Sequence, residues 1–209
     1  MKINYFDLGL YQGHEIDMFI NDVSKLDCDY SIYGFEAHPT FANDVRQKYN
    51  TNKRVHIHNL AIYDRVDRIK LYITNYKHGD EGNSIYSTKR NVLADSFVYV
   101  DSISFVDWVK ENVTDYESSY NILRFNIEGA ELPLIQDIIK KEFNQYINLY
   151  LGANPGADIL KVAEIKDQYY LYLDLLAQYN INILPYCYKL KPVTNITTII
   201  KEYYNENAN

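Results

Sequence analysis

Residues 3–13 read Ile3-Asn4-Tyr5-Phe6-Asp7-Leu8-Gly9-Leu10-Tyr11-Gln12-Gly13, a β-rich run that breaks into a D-x-G-x-x-x-G turn. The apolar residues Ile16, Phe19, Ile20 and Val23 follow at helical spacing, so the stretch predicts strand, tight glycine turn and helix. Glycines there let the backbone approach a ligand, and the helix N-terminus offers free N–H groups. The spacing is not the dinucleotide G-x-G-x-x-G, because a third glycine is missing. By itself the turn could equally be structural.

Working outward, the alternation repeats. A second strand over residues 31–36 ends in Glu36, and Pro39 fits the first turn of a helix to about Tyr49. A third strand is expected over residues 55–62, and an extra one over 68–74, where Ile69, Leu71 and Ile73 share a face. Residues 75–91 are polar and glycine-containing, which predicts an exposed loop or flap. Strand 97–102 leads to a helix capped by Ser104. A fourth main strand covers 121–127, a helix runs from Ala130 to about Phe143, and a fifth strand covers 146–151. A helix of about twenty residues to Gln178 and a sixth strand over 181–188 complete the series. The tail after Pro192 suits strand or helix, and residues 205–209 are expected to fray. The pattern is α/β: one doubly wound domain over 1–209 with a mostly parallel sheet, expected to have seven strands.

Composition narrows the function. At 209 residues the chain is long enough to bury roughly 70% of its unfolded surface without disulfide or metal. Cys28 and Cys187 give no C-x-x-C pair, as expected of a reduced compartment. The five histidines show no H-x-x-x-H spacing, so no metal is expected; His56 and His58 merely alternate on one strand face. No apolar run of about 18 residues occurs, and Asp7 comes too early for a signal peptide; membrane spanning and secretion are not expected, and cytoplasm is. A net charge of -7, with basic pairs only at Lys53-Arg54, Lys89-Arg90 and Lys140-Lys141, disfavours nucleic acid. The 22 Tyr, 21 Asn and 23 Ile suit an AT-rich genome, viral (hence host cytoplasm) or low-GC bacterial; a tyrosine surface for carbohydrate is the functional alternative.

Two further clusters point to chemistry. Glu36, at the end of the strand after the glycine turn, can accept both hydroxyls of a ribose. At the end of the fourth strand, Arg124-Phe125-Asn126-Ile127-Glu128-Gly129-Ala130-Glu131 sets two acids around a glycine. Glu131 suits a first-turn helix position by dipole alone; Glu128 precedes the turn. If the strand stays regular, Asn126 and Glu128 point to one side.

Together these segments resemble the FkbM family of S-adenosylmethionine-dependent methyltransferases, over roughly residues 3–150. The carrying motifs are Tyr5-Phe6-Asp7-Leu8-Gly9 through Gly13, Tyr33-Gly34-Phe35-Glu36-Ala37-His38-Pro39, and Asn59-Leu60-Ala61-Ile62-Tyr63-Asp64. Gly82-Asn83-Ser84, Val100-Asp101-Ser102-Ile103 through Asp107, and Leu123 through Glu131 follow in order, the last being the most specific. The resemblance implies a Rossmann-like class I methyltransferase fold, with S-adenosyl-L-methionine held by Asp7, Gly9, Gly13 and Glu36, supported by Ala37, Asn59, Ala61 and Asp64. It implies O-methylation of a sugar or small-molecule hydroxyl, with Glu128 as base, His38 as second candidate and Asn126 as an orienting amide. Asn126 stands where the family has aspartate, Arg124 where it has lysine, and Gly152-Ala153-Asn154 where it has an acidic-histidine strand end. Those departures motivate the alternative of a non-catalytic binding or scaffold protein that keeps the fold. A nicotinamide-dependent reductase is disfavoured by the missing third glycine. Acceptor and oligomeric state are not legible.

Overall fold

The computed structural model describes residues 2–75, 82–153 and 156–207, with side chains to residue 205. β1 (Lys2–Leu8) is buried from Ile3 onward and lies inside a six-stranded sheet. It pairs in parallel with β2 (Asp29–Phe35) on one side and β7 (Tyr120–Phe125) on the other. β3 (Val55–His58) extends the sheet beyond β2, while β8 (Leu149–Gly152) and β9 (Ile183–Pro185) extend it beyond β7. The order is β3-β2-β1-β7-β8-β9, every pair parallel. Chain direction across the sheet reverses at β1, so the carboxyl ends of β1, β2 and β7 flank the crevice where such folds bind ligands.

Helices cover both faces, as parallel sheets require. α1 (His14–Val23), α2 (Pro39–Lys48) and α6 (Ile196–Asn207) bury Ile16, Phe19, Val45 and Ile200 against one side. α3 (Phe105–Asn112) and α4 (Glu131–Lys140), with Tyr172 of α5 (Tyr169–Gln178), pack Phe105, Val109, Ile135 and Ile138 against the other. Ser104 caps α3 by accepting the Asp107 N–H (3.2 Å), as its sequence position predicts.

The structure corrects several sequence-based expectations: the fifth and sixth strands shrink to β8 and β9, and the tail expected to fray from residue 205 is helical to Asn207. The central sheet has six strands rather than seven among the described residues, because the tail forms α6, whose Ile196 and Ile200 are buried. The strand expected over 55–62 is two: β3 stays in the main sheet, and β4 (Ala61–Tyr63) joins a second sheet of order β4-β6-β5. Asn59 makes that break by donating Nδ2 to the carbonyls of Glu36 (2.9 Å) and Ala37 (2.8 Å). In the second sheet β5 (Asp67–Thr74) runs antiparallel to β6 (Val92–Ser104), far longer than the strand expected at 97–102. The long helix before Gln178 is only α5, preceded by two 3₁₀ turns at Ile159–Lys161 and Lys166–Gln168. Its backbone groups are diverted: the Lys161 carbonyl accepts the Arg90 N–H (2.9 Å) and Val162 bridges Lys89.

The same contacts bear on the expected flap. Residues 82–91 are anchored, with Ser84 bridged to Tyr72 and the Asn91 carbonyl accepting the Asn75 N–H (3.0 Å). Residues 76–81 of that stretch lie outside the described residues.

Candidate active site

A cavity of about 270 Å³ opens at the carboxyl ends of β1, β2 and β7, just under the usual range of roughly 300–1,000 Å³ for small-molecule sites. Gly9, Leu10 and Tyr11 form its floor, Glu36, Ala37 and Phe41 one side, and Asn126, Ile127 and Glu128 the other. Leu60, Ala61, Ile62 and Leu71 come from the second sheet and its approach, and give an apolar wall.

Gly9 is required by the close approach of β1 to β7. Its φ is +86, and a Cβ there would stand 2.1 Å from the Asn126 carbonyl oxygen. The first turn and the end of β7 are thus locked together, and Gly9 also lines the cavity. Glu36 hangs from the end of β2. Its Oε2 accepts the Tyr11 N–H and its Oε1 the His38 N–H, both at 2.8 Å. Burial raises the Glu36 carboxyl to about 7 against those N–H bonds. Each oxygen keeps lone-pair capacity for a further donor.

On the opposite wall Glu128 adopts φ +58, outside regular strand, since β7 ends at Phe125. Strand alternation therefore does not carry Asn126 and Glu128 to one side; the turn does. Asn126 donates Nδ2 to Glu128 Oε1 (3.2 Å), and both line the cavity. Glu128 Oε2 is paired with the buried ammonium of Lys89. Burial raises the Glu128 pKa, with Lys89 opposing. The backbone N–H groups of the turn go to Glu131 instead, Ile127 at 3.0 Å and Gly129 at 2.8 Å. Burial raises Glu131 to about 7.

Several expected site residues sit elsewhere. Asp7 is fully buried and in register with Arg124 across the β1–β7 pair. It meets the guanidinium at 3.0 Å rather than facing the cavity. Burial outweighs Arg124 and lifts Asp7 to about 7. Gly13 caps α1 and packs under Tyr49, whose hydroxyl donates to its carbonyl (3.1 Å). His38 caps α2, and its ring packs on Phe41 (4.6 Å) outside the lining. Asn59 supports the Glu36–Ala37 turn from behind, and Asp64 is exposed beside Arg65 (3.2 Å). Of the expected set, Gly9, Glu36, Ala37, Ala61, Asn126 and Glu128 share the cavity.

Sequence reasoning passed over Lys89, Arg124 as a lining group, and the Cys187–Tyr188–Lys189 rim beside His14. Lys89 carried only the signal of a basic pair with Arg90. His58 stacks on Phe35 (5.1 Å) and meets Trp108 edge-on (4.7 Å), and burial lowers its pKa to about 4. Among the described residues no group of three or more His, Cys, Asp or Glu could hold a metal ion, and no helix is long and apolar enough to cross a membrane.

Comparison with known proteins now bears on this geometry. No curated protein matches the chain. A crystal structure of the methyltransferase FkbM from Methylobacillus flagellatus KT aligns with 13% identity and a TM-score of 0.49. The alignment covers 83% of this chain but 36% of that one, so this chain spans about a third of its length. Residues 7–173, most of the chain, match the methyltransferase FkbM domain, and the chain belongs to that family.

Proposed function

We propose that this chain is an S-adenosylmethionine-dependent methyltransferase acting on a hydroxyl of a sugar or small molecule. The observation that carries the reading is one cavity with Glu36 on its β2 side and the Asn126–Glu128 pair on its β7 side. The residues fit a nucleoside-bearing cofactor. Glu36 offers a carboxylate with spare acceptor capacity for ribose hydroxyls, and Phe41, Leu60, Ala61 and Ile62 offer apolar surface for a base. When bound, the cofactor supplies an electrophilic methyl on a sulfonium. The protein's part is positioning and proton removal. Glu128 takes the proton of the acceptor hydroxyl, and Asn126, an amide and no base, holds the Glu128 carboxylate in place.

The test has two arms. S-adenosylhomocysteine should raise the melting temperature where ATP and NAD do not. Glu128→Gln should keep that shift while methyl transfer to a panel of monosaccharides and phenols falls roughly 10²-fold or more. A variant that turns over normally moves the base elsewhere. Binding without turnover on any acceptor favours a non-catalytic protein that keeps the fold, a reading motivated by Asn126 and by Gly152-Ala153-Asn154 at the end of the fifth strand.

A further inference from the structure

Lys89 is the most deeply buried amine near the cavity, with a side chain 0% exposed. A buried ammonium is costly unless paired and hydrogen-bonded, and this one is both. Its Nζ donates to the Gly82 carbonyl (2.8 Å) and to Glu128 Oε2, and lies 3.9 Å from Asp158 Oδ1. Three separate segments therefore converge on one charge: the anchored stretch 82–91, the turn after β7, and the 3₁₀ region at Asp158. The backbone supports that convergence. Lys89 bridges Val162, and the Arg90 N–H reaches the Lys161 carbonyl (2.9 Å). Gly82 packs tightly beside the pair: its φ is +92, and a Cβ there would stand 2.6 Å from Asn91 Nδ2.

We propose that Lys89 is a positioning residue for Glu128: it holds Oε2 from behind and leaves Oε1, braced by Asn126, on the cavity wall. The inference rests on the reading of Glu128 as the base. Without Lys89, Glu128 would have no cation in contact. The other charges around it are Asp158 and Glu131, which favour its neutral form, and Lys161, which is itself held by Asp158 at 2.7 Å. A neutral carboxyl cannot accept the hydroxyl proton. Lys89 thus supplies the condition under which a buried glutamate can act as a base at neutral pH.

The full chain with Lys89→Met keeps the aliphatic stem and removes the charge. The Glu128 carboxyl, followed by carbon-13 NMR and assigned by its loss in Glu128→Gln, should titrate at least one pH unit higher in Lys89→Met than in the native chain. An unmoved midpoint in a folded variant overturns the proposal. Should Lys89→Met not fold, nitrogen-15 lysine labelling of the native chain decides. The Lys89 ammonium resonance should shift with the same midpoint as the Glu128 carboxyl; independent midpoints overturn it. The base assignment fails differently, through normal turnover of Glu128→Gln, so the two readings are separable.

Discussion

Two buried ion clusters lie at the end of β7, and they are built for different work. In the seam between β1 and β7, Arg124 is enclosed: Nη1 meets Asp7 at 3.0 Å and donates to the Gly9 carbonyl at 2.8 Å, and Nη2 meets Glu15 at 3.3 Å. Burial works against the Arg124 charge, but the two carboxylates outweigh it and raise its pKa. A few residues further on, Glu128 gives one oxygen to Lys89 and the other to the Asn126 amide, and its side chain lines the cavity. The seam spends its charges on one another and on the glycine turn. The turn after β7 leaves the Glu128 side chain 21% exposed. Proximity in sequence therefore does not assign function; access to the cavity does, since Asp7 is fully buried and Glu128 lines the cavity.

The largest expected effect tests the seam. Arg124→Met leaves Asp7 and Glu15 buried without their cation, and should cost about 3–5 kcal/mol in urea denaturation at pH 8. The loss should be smaller at pH 5.5, where Asp7, with its carboxyl near 7, can take a proton instead. A loss under about 1 kcal/mol at both pH values would erase the contrast between the two clusters.

The cavity side is tested next. Glu36→Ala removes a carboxylate that can serve two hydroxyls, and should weaken S-adenosylhomocysteine binding by about 1.5–3 kcal/mol in calorimetry. The variant also removes the carboxylate that accepts the Tyr11 and His38 N–H groups, so circular dichroism must confirm the fold. Unchanged affinity in a folded variant would make Glu36 a turn-forming residue like Glu131.

These outcomes depend on features of unequal legibility. Local signals reveal β1, the glycine turn, the acid ending β2, and α2 with Pro39 at its start, because each is written in adjacent residues. Glu36, Asn126 and Glu128 are legible for the same reason. Asp7 is misplaced by sequence reasoning because its partner is fixed by cross-strand register, Asp7 opposite Arg124, which periodicity cannot supply. Lys89 escapes because its counter-ion is 39 residues away. The break at Asn59 and the shortened α5 have one cause, backbone groups satisfied by a distant segment rather than by the element's own ladder.

A third prediction concerns pH and weighs both clusters together. Asp7, Glu36 and Glu131 all titrate near 7 in the folded chain, above their ordinary values. Between the unfolded and folded midpoints the native state holds more protons at these groups, so their contribution to stability is fullest below about pH 4 and is lost as pH rises through 7. His58, lowered to about 4, works the opposite way between 4 and its ordinary 6.5. With three carboxyls against one imidazole, stability should fall from pH 5.5 to pH 8 by at least about 1.4 kcal/mol, equivalent to a tenfold change in the proton affinity of one group. A higher stability at pH 8 would mean that the ion pairs, not burial, govern these carboxyls.

The smallest expected effect is the most pointed, because it restores the residue that the family resemblance leads one to expect. Asn126→Asp is nearly isosteric, and the side chain would still reach the position 3.2 Å from Glu128 Oε1. An amide donor there becomes a second carboxylate, so the contact turns from a hydrogen bond into a like-charge pair. Lys89 is already engaged with Oε2 and with Gly82, and cannot neutralise both acids. The Glu128 midpoint should therefore rise, stability at pH 8 should drop by about 1 kcal/mol, and the drop should shrink at pH 5.5. The seam should not respond: the Arg124 contacts to Asp7 and Glu15 do not involve Asn126 or Glu128. A variant as stable as the native chain at both pH values, with Glu128 titrating unchanged, would show that Asn126 does not brace the carboxylate.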